Sequence, residues 1–330
     1  MPGALEGIRI LDLTRLLPGA VATQWLAEFG AEVIKIEQPP IGDYARATYA
    51  ALFEQTNRGK KSVEIDLKDE RGRASFLKLA ATADVLIEGF RPGVMDRMSL
   101  GYASLREVNP RLIYVALNGY GGEGPEAQLA GHDVNYLAMS GVLDTIRSRD
   151  GVPVIPGIQI ADLAGGSMQS MIGILLALEA RHRTGLGQRV DVSMTDGAAA
   201  LLPVARGGRV DILNGRFACY HVYPAAEDSF VAIGALEPKF WANLCRELGC
   251  EQLIAQQFAP DQSKAIETVE RKLAGATAEE WFARLGAKDC CLTPVRPLQA
   301  VAPRIPKLSG TPGRELSPAP RLGEHNEELP

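Results

Sequence analysis

Paired cysteines are absent from this 330-residue chain: Cys219, Cys245, Cys250, Cys290 and Cys291 are odd in number and form no CxxC spacing. Neither a disulfide framework nor a structural zinc site is encoded, so no metal and a reducing compartment are expected. Excess positive charge is missing too. With 35 Lys and Arg against 40 Asp and Glu, the net charge of −5 argues against a nucleic-acid partner, because phosphate backbones select basic surfaces. Met1 to Gly7 shows no basic segment followed by an apolar run, and the greasiest stretch, Met171 to Ala180, reads as too short and interrupted for a bilayer. A cytoplasmic protein without a membrane partner is the expectation. There is no P-loop pattern and no internal repeat.

What is present is an ordinary globular composition, 46% hydrophobic and 23% charged, at a length that suits two domains. The first half alternates strand-like and helix-like segments. Ile8 to Leu13 reads as a buried strand, Pro18 to Phe29 as a helix stopped by Gly30, and Ala31 to Glu37 as a second strand. After a polar segment come a helix over 71–81, a strand over 84–88 and an apolar run over 112–117. Such alternation predicts parallel βαβ units in an α/β fold. A long helix is expected from Gly165 to about Arg183, then a strand over 189–192 and a small-residue helix over 198–202. The pattern then changes to a strand over 230–233, a helix over 238–248 and two further helices, the second opened by a Thr277 and Glu280 capping box. The expected organisation is a large domain from 1–205 and 300–330, with a smaller α+β domain over 206–299. The Pro- and Gly-rich tail from Pro303 to Pro320 reads as an extended strap.

Histidine is scarce, four in all, and His132 stands beside a glycine in Gly131-His132-Asp133. Imidazole is the side chain most easily tuned to move a proton near neutrality, although a helix start uses the same residue equally well. Asp162, in an apolar setting at the mouth of the long helix, and Glu237, just before Pro238, are the acidic candidates; both also suit helix N-caps. Spacing alone does not bring the three together. The turn Gly119-Tyr120-Gly121-Gly122-Glu123-Gly124-Pro125 follows a strand but does not open into a helix, so a dinucleotide fingerprint is disfavoured. For an anionic ligand the candidates are Arg58, Lys60 and Lys61 around Gly59, and Arg91 after the strand that ends at Glu88. From the residues alone the reading stops at an α/β enzyme with an anionic ligand.

The strings Asp84-Val85-Leu86-Ile87-Glu88-Gly89-Phe90-Arg91-Pro92-Gly93, Gly131-His132-Asp133, Ile160-Ala161-Asp162 with Gly165-Gly166, and Thr311-Pro312-Gly313-Arg314 resemble the class III CoA-transferase (CaiB/BaiF) superfamily along nearly the whole chain. His132 and the glutamate of Gly234-Ala235-Leu236-Glu237-Pro238 resemble its racemase branch. The resemblance implies a Rossmann-like large domain, a small domain and a homodimer of interlocked subunits. It implies a cofactor-independent racemase in which His132, oriented by Glu237, and Asp162 exchange the C2 proton of a 2-methylacyl-CoA. Asp133 would offer its backbone N–H to the enolate oxygen, and Arg58, Lys60, Lys61 and Arg91 would hold the CoA phosphates. The alternative is a CoA-transferase with Asp162 as nucleophile. Between Asp196 and Gly234, around Arg206-Gly207-Gly208-Arg209, the chain looks shorter than such racemases, leaving acyl preference open.

Overall fold

The structure, a computed structural model, describes residues 2–148, 150–208, 210–301 and 306–328. Arg209 and Pro303, named above, lie outside them. The chain divides into two units, one of Met1–Asp144, Pro153–Leu202 and Ile305–Pro330, the other of Thr145–Val152 and Pro203–Arg304.

The first unit is built on six parallel strands, β1 (Arg9–Leu13), β2 (Glu32–Glu37), β3 (Lys61–Glu64), β4 (Val85–Glu88), β5 (Ile113–Asn118) and β6 (Arg189–Ser193). Their order is β3-β2-β1-β4-β5-β6, the doubly wound arrangement, in which strand order reverses between β1 and β4. The strands β1, β4 and β5 are almost wholly buried because helices cover both faces of a parallel sheet. Among the helices are α1 (Pro18–Glu28), α2 (Glu70–Ala80), α3 (Asp133–Ser140), α4 (Gln169–Thr184) and α5 (Met194–Ala199). Pro18 sits in the first turn of α1, where its missing N–H costs nothing, and Asp69 caps α2 by accepting from Gly72 N. Phe76 of α2 is fully buried in the core cluster that also holds Leu86 and Ile34, a burial that contributes about 2 kcal/mol.

Three local readings differ from the sequence expectation. The polar segment after β2 contains the edge strand β3, whose Lys61-Ser62-Val63-Glu64 is too short and too polar to show a strand pattern. The long helix begins four residues early, as π-helical turns over Ala161–Met168 that run directly into α4. This continuous Ala161–Thr184 helix, with a mean hydropathy of 1.3 over its apolar window, is long and apolar enough to cross a membrane by length and composition, which corrects the reading of Met171 to Ala180 as too short. Of that window 44% is buried inside the protein. Helix α4 ends at Gly185, whose φ of 72° is the left-handed conformation that closes helices. Finally, the small-residue helix starts at Met194, where Ser193 Oγ accepts from Asp196 N, and not at Ala198.

The second unit holds the antiparallel strands β7 (Tyr220–Pro224), β8 (Phe230–Gly234) and β9 (Leu292–Pro294), with α6 (Pro238–Glu247), α7 (Ser263–Leu273) and α8 (Ala278–Leu285). Tyr223, Val231, Ile233, Trp241, Val269 and Leu273 form its core. The expected capping box is present: Thr277 Oγ1 accepts from Glu280 N, and Glu280 Oε2 from Thr277 N. All five cysteines are free, and only Cys291 is exposed.

Candidate active site

Ligands of open parallel sheets sit outside the carboxyl ends of the strands, at the reversal point. Here that point lies beyond Leu13 of β1 and Glu88 of β4. The chain leaving β1 presents Arg15, whose guanidinium carbon lies 6.0 Å from the Phe90 ring centre. Lys68 follows β3, and Arg91 follows Phe90; all three cations are exposed. A groove of about 120 Å³ lined by Arg15, Gln38, Lys68, Phe90 and Met98 opens there, and a cavity of about 990 Å³ runs along the ends of β4, β5 and β6, lined by Arg91, Tyr102, Asn118, Ile172 and Arg189. The turn carrying Arg91 is held by Glu88, which accepts from Phe90 N at 2.7 Å and from Tyr114 Oη at 3.3 Å. Burial pushes the Glu88 carboxyl up to about 7 against those bonds.

The basic run Asn57 to Lys61 lies elsewhere. It enters β3, whose Lys61 lies level with Ile34 of β2 and Leu11 of β1, and its cations already have partners. Lys60 Nζ is buried and donates to Asp12 Oδ2 at 3.0 Å, Ala20 O at 2.9 Å and Asn57 Oδ1 at 2.9 Å. Lys61 pairs with Glu32 at 2.9 Å and Glu328 at 2.5 Å, and Arg58 donates to Leu316 O at 2.9 Å, tying down the tail. Of the four expected phosphate ligands, only Arg91 therefore stands at the carboxyl edge; Lys60 in particular presents no free N–H to a ligand. Arg15 and Lys68 escaped the sequence reading, because each is a single cation. The usable signal was position: each follows a strand of the sheet.

His132 is the exposed N-cap residue of α3, its backbone N–H donating to Asn135 Oδ1 at 3.1 Å. The helix-start reading and the proton-carrier reading fall on the same exposed residue. Asp133 occupies the first turn of α3, where helices leave N–H groups without intrahelical acceptors. Its buried carboxylate accepts from Asp162 N at 3.0 Å, so one side chain joins the His132 helix to the π-helical segment. Burial and then the Asp133 charge push the Asp162 carboxyl up to about 7. Asp162 does not cap this helix; Ile160 holds that place. Gly165 packs against Gly197 and the Met194 carbonyl so closely that a Cβ would lie 2.4 Å from that oxygen. Tyr136 lines the same site, its hydroxyl donating to Gly131 O at 2.6 Å and its pKa pushed up to about 12 by burial and then by Asp162. The first unit thus brings His132, Asp133 and Asp162 onto joined elements. Glu237 belongs to the second unit, at the N-cap of α6, with its side chain exposed and not engaged in capping.

A doubly wound sheet with cations at its reversal point and a buried carboxyl pushed up toward neutrality has the features of a site that acts on an anionic ligand. The model of CoA-transferase family III matches residues 5–304, and the chain belongs to that family. It is 36% identical to the α-methylacyl-CoA racemase of Homo sapiens over 99% of this chain and 92% of that protein. It is also 36% identical to the acetyl-CoA:oxalate CoA-transferase of Acetobacter aceti over 85% of this chain and 77% of the relative. The crystal structure of Rv3272 from M. tuberculosis superposes with a TM-score of 0.86 at 32% identity, covering 99% of this chain and 98% of that one. The alignment with the human racemase runs over 362 positions against a chain of 330, so the relative carries segments that this chain lacks. Among the described residues between Ala199 and β7, the helical elements are a short helix, Pro203–Arg206, and a 3₁₀ turn, Val210–Ile212.

Proposed function

We propose that the protein racemises 2-methylacyl-CoA thioesters by moving the C2 proton between His132 and Asp162 through an enolate. The observation that carries this reading is the Asp133 carboxylate, which accepts from Asp162 N at 3.0 Å and so joins the His132 helix to the Asp162 segment, with burial and the Asp133 charge pushing the Asp162 carboxyl up to about 7. A proton carrier works best with a pKa near the operating pH, whereas a carboxylate nucleophile gains nothing from being half protonated. The Asp133 N–H, at the start of α3, would donate to the enolate oxygen, a charge that needs preorganised donors. Glu237 takes the role of orienting His132 from the family resemblance alone. Arg15, Lys68 and Arg91 are assigned to the CoA phosphates because they rim the carboxyl-end crevice. The scheme calls for no metal or redox cofactor beyond the CoA of the substrate. A cytoplasmic homodimer of interlocked subunits completes the proposal, with the exposed Ile172, Leu175 and Leu176 of α4 covered by the second copy.

The transferase reading is kept because a transferase relative is also 36% identical to this chain, over 85% of it. There Asp162 would attack the donor thioester. Incubation with (2R)-2-methylacyl-CoA in D₂O, without a carboxylate acceptor, separates the two. Deuterium at C2 with loss of optical purity is expected; no exchange, followed by CoA transfer once carboxylates are supplied, overturns the racemase reading.

A further inference from the structure

Beneath the crevice lies a set of charges that the proposed chemistry does not use. Lys35 of β2 is completely buried, with its Nζ 3.1 Å from Asp43 Oδ2 and donating to Thr14 O at 2.9 Å. Asp43 in turn accepts from Leu16 N at 3.2 Å and from Ala45 N at 2.9 Å. On the other side, Asp12 accepts from Thr14 N at 2.9 Å, from Thr14 Oγ1 at 2.6 Å and from Thr23 Oγ1 at 2.7 Å, while Lys60 neutralises it. The Lys35 bond to Thr14, the Asp43 bond to Leu16 and the Asp12 bonds to Thr14 and Thr23 all brace the connection from β1 to α1. That connection is not relaxed: Leu16 sits at φ 60°, a conformation that a side-chain-bearing residue holds only when its surroundings impose it.

The same connection touches both halves of the proposed site. Arg15 projects from it into the groove beside Phe90. Pro18, at its far end, packs on Gly166, and the Pro18 carbonyl accepts from Ser167 Oγ at 2.6 Å. Gly166 and Ser167 belong to the π-helical turns that carry Asp162. We infer that the Lys35 and Asp43 ion pair is a positioning device: by fixing the β1–α1 connection it aims Arg15 at the CoA phosphates and, through Pro18 and Ser167, holds the segment bearing Asp162. The inference rests on the CoA-thioester reading above. A fully buried pair contributes little stability compared with apolar residues of the same volume, because desolvation offsets the attraction, so its consequence lies in the conformation it selects.

The test uses the double variant Lys35→Met/Asp43→Leu, which removes both charges together and leaves neither uncompensated. Its KM for a 2-methylacyl-CoA is expected to rise about tenfold and its kcat to fall about tenfold, since small misplacements of binding and reacting groups are costly. With the N-acetylcysteamine thioester, which lacks the nucleotide, only kcat should fall. Ser167→Ala, which cuts the contact to the Asp162 segment alone, should lower kcat more than it raises KM, and it decides the matter if the double variant does not fold. A double variant with reduced melting temperature but wild-type KM and kcat, or a Ser167→Ala enzyme with wild-type kcat, overturns the inference. Arg15→Ala separates this from a failure of the underlying reading. If Arg15→Ala leaves KM for the CoA thioester unchanged, the groove does not hold CoA; if it raises KM and the double variant does not, the groove reading stands and the positioning role falls.

Discussion

Two groups of cations on the parallel sheet carry similar positive charge and use it in opposite ways. Entering β3, Arg58, Lys60 and Lys61 come from one run of sequence and are bound to Leu316 O, to Asp12 and to two glutamates, Lys60 reaching into the sheet. At the carboxyl edge, Arg15, Lys68 and Arg91 come from three separate connections and are exposed, Arg15 and Lys68 at the small groove and Arg91 at the larger cavity. A cluster of cations in sequence is therefore not a cluster in space. What matters is whether a cation precedes or follows its strand, because parallel strands send all their exits to one side.

The largest effect expected on the crevice side is that of Asp162→Asn, which removes one proton carrier and should slow C2 exchange by about 10³-fold. The same variant tests the electrostatics. Because the folded-state pKa of Asp162 is raised, folding favours its protonated form, and stability is lost as pH rises from the unfolded value through about 7. Asp162→Asn should thus melt higher than the parent protein at pH 8, and a lower melting temperature there would contradict the burial assigned to this carboxyl. For the enclosed cation of the other group, Lys60→Met leaves Asp12 buried without its partner and should cost about 3–5 kcal/mol in urea unfolding. A loss under 1 kcal/mol would mean that Asp12 finds sufficient compensation in Lys35 and the threonine hydroxyls.

Asp133→Asn sharpens the comparison in a different way. It keeps an acceptor for Asp162 N but removes the negative charge that helps to raise the Asp162 pKa. The acid limb of the pH profile of kcat/KM should move to lower pH by up to about one unit. An unmoved limb would assign it to another group. Smallest of all, Lys61→Ala should change stability by less than about 1 kcal/mol and leave KM for the CoA thioester as it was, since exposed ion pairs contribute little. A raised KM would return Lys61 to the binding site and break the distinction between the two groups.

Much of the fold was legible because local patterns agreed with the final packing. The strands β1, β4 and β5 are continuous apolar runs, as sandwiched parallel strands must be, and Pro18, Gly185 and the Thr277 box mark helix ends through chemistry confined to a few residues. The edge strand β3 was hidden because half of its four residues are charged. The π-helical start at Ala161 was hidden because no local rule distinguishes it from a helix beginning at Gly165. His132, Asp133 and Asp162 stood out through their motifs, whereas the hydrogen bond from Asp162 N to Asp133 spans 29 residues and leaves no trace in spacing.

The sequence by itself determined the alternation of elements, the absence of disulfides, the family and the acid and base candidates, since composition, periodicity and motif are properties of neighbouring residues. Tertiary structure alone decided which cations face the crevice, that Lys60 is enclosed with Asp12, and that one carboxylate joins the His132 helix to Asp162. Those outcomes depend on strand direction and on desolvation, and both exist only once distant segments have packed together.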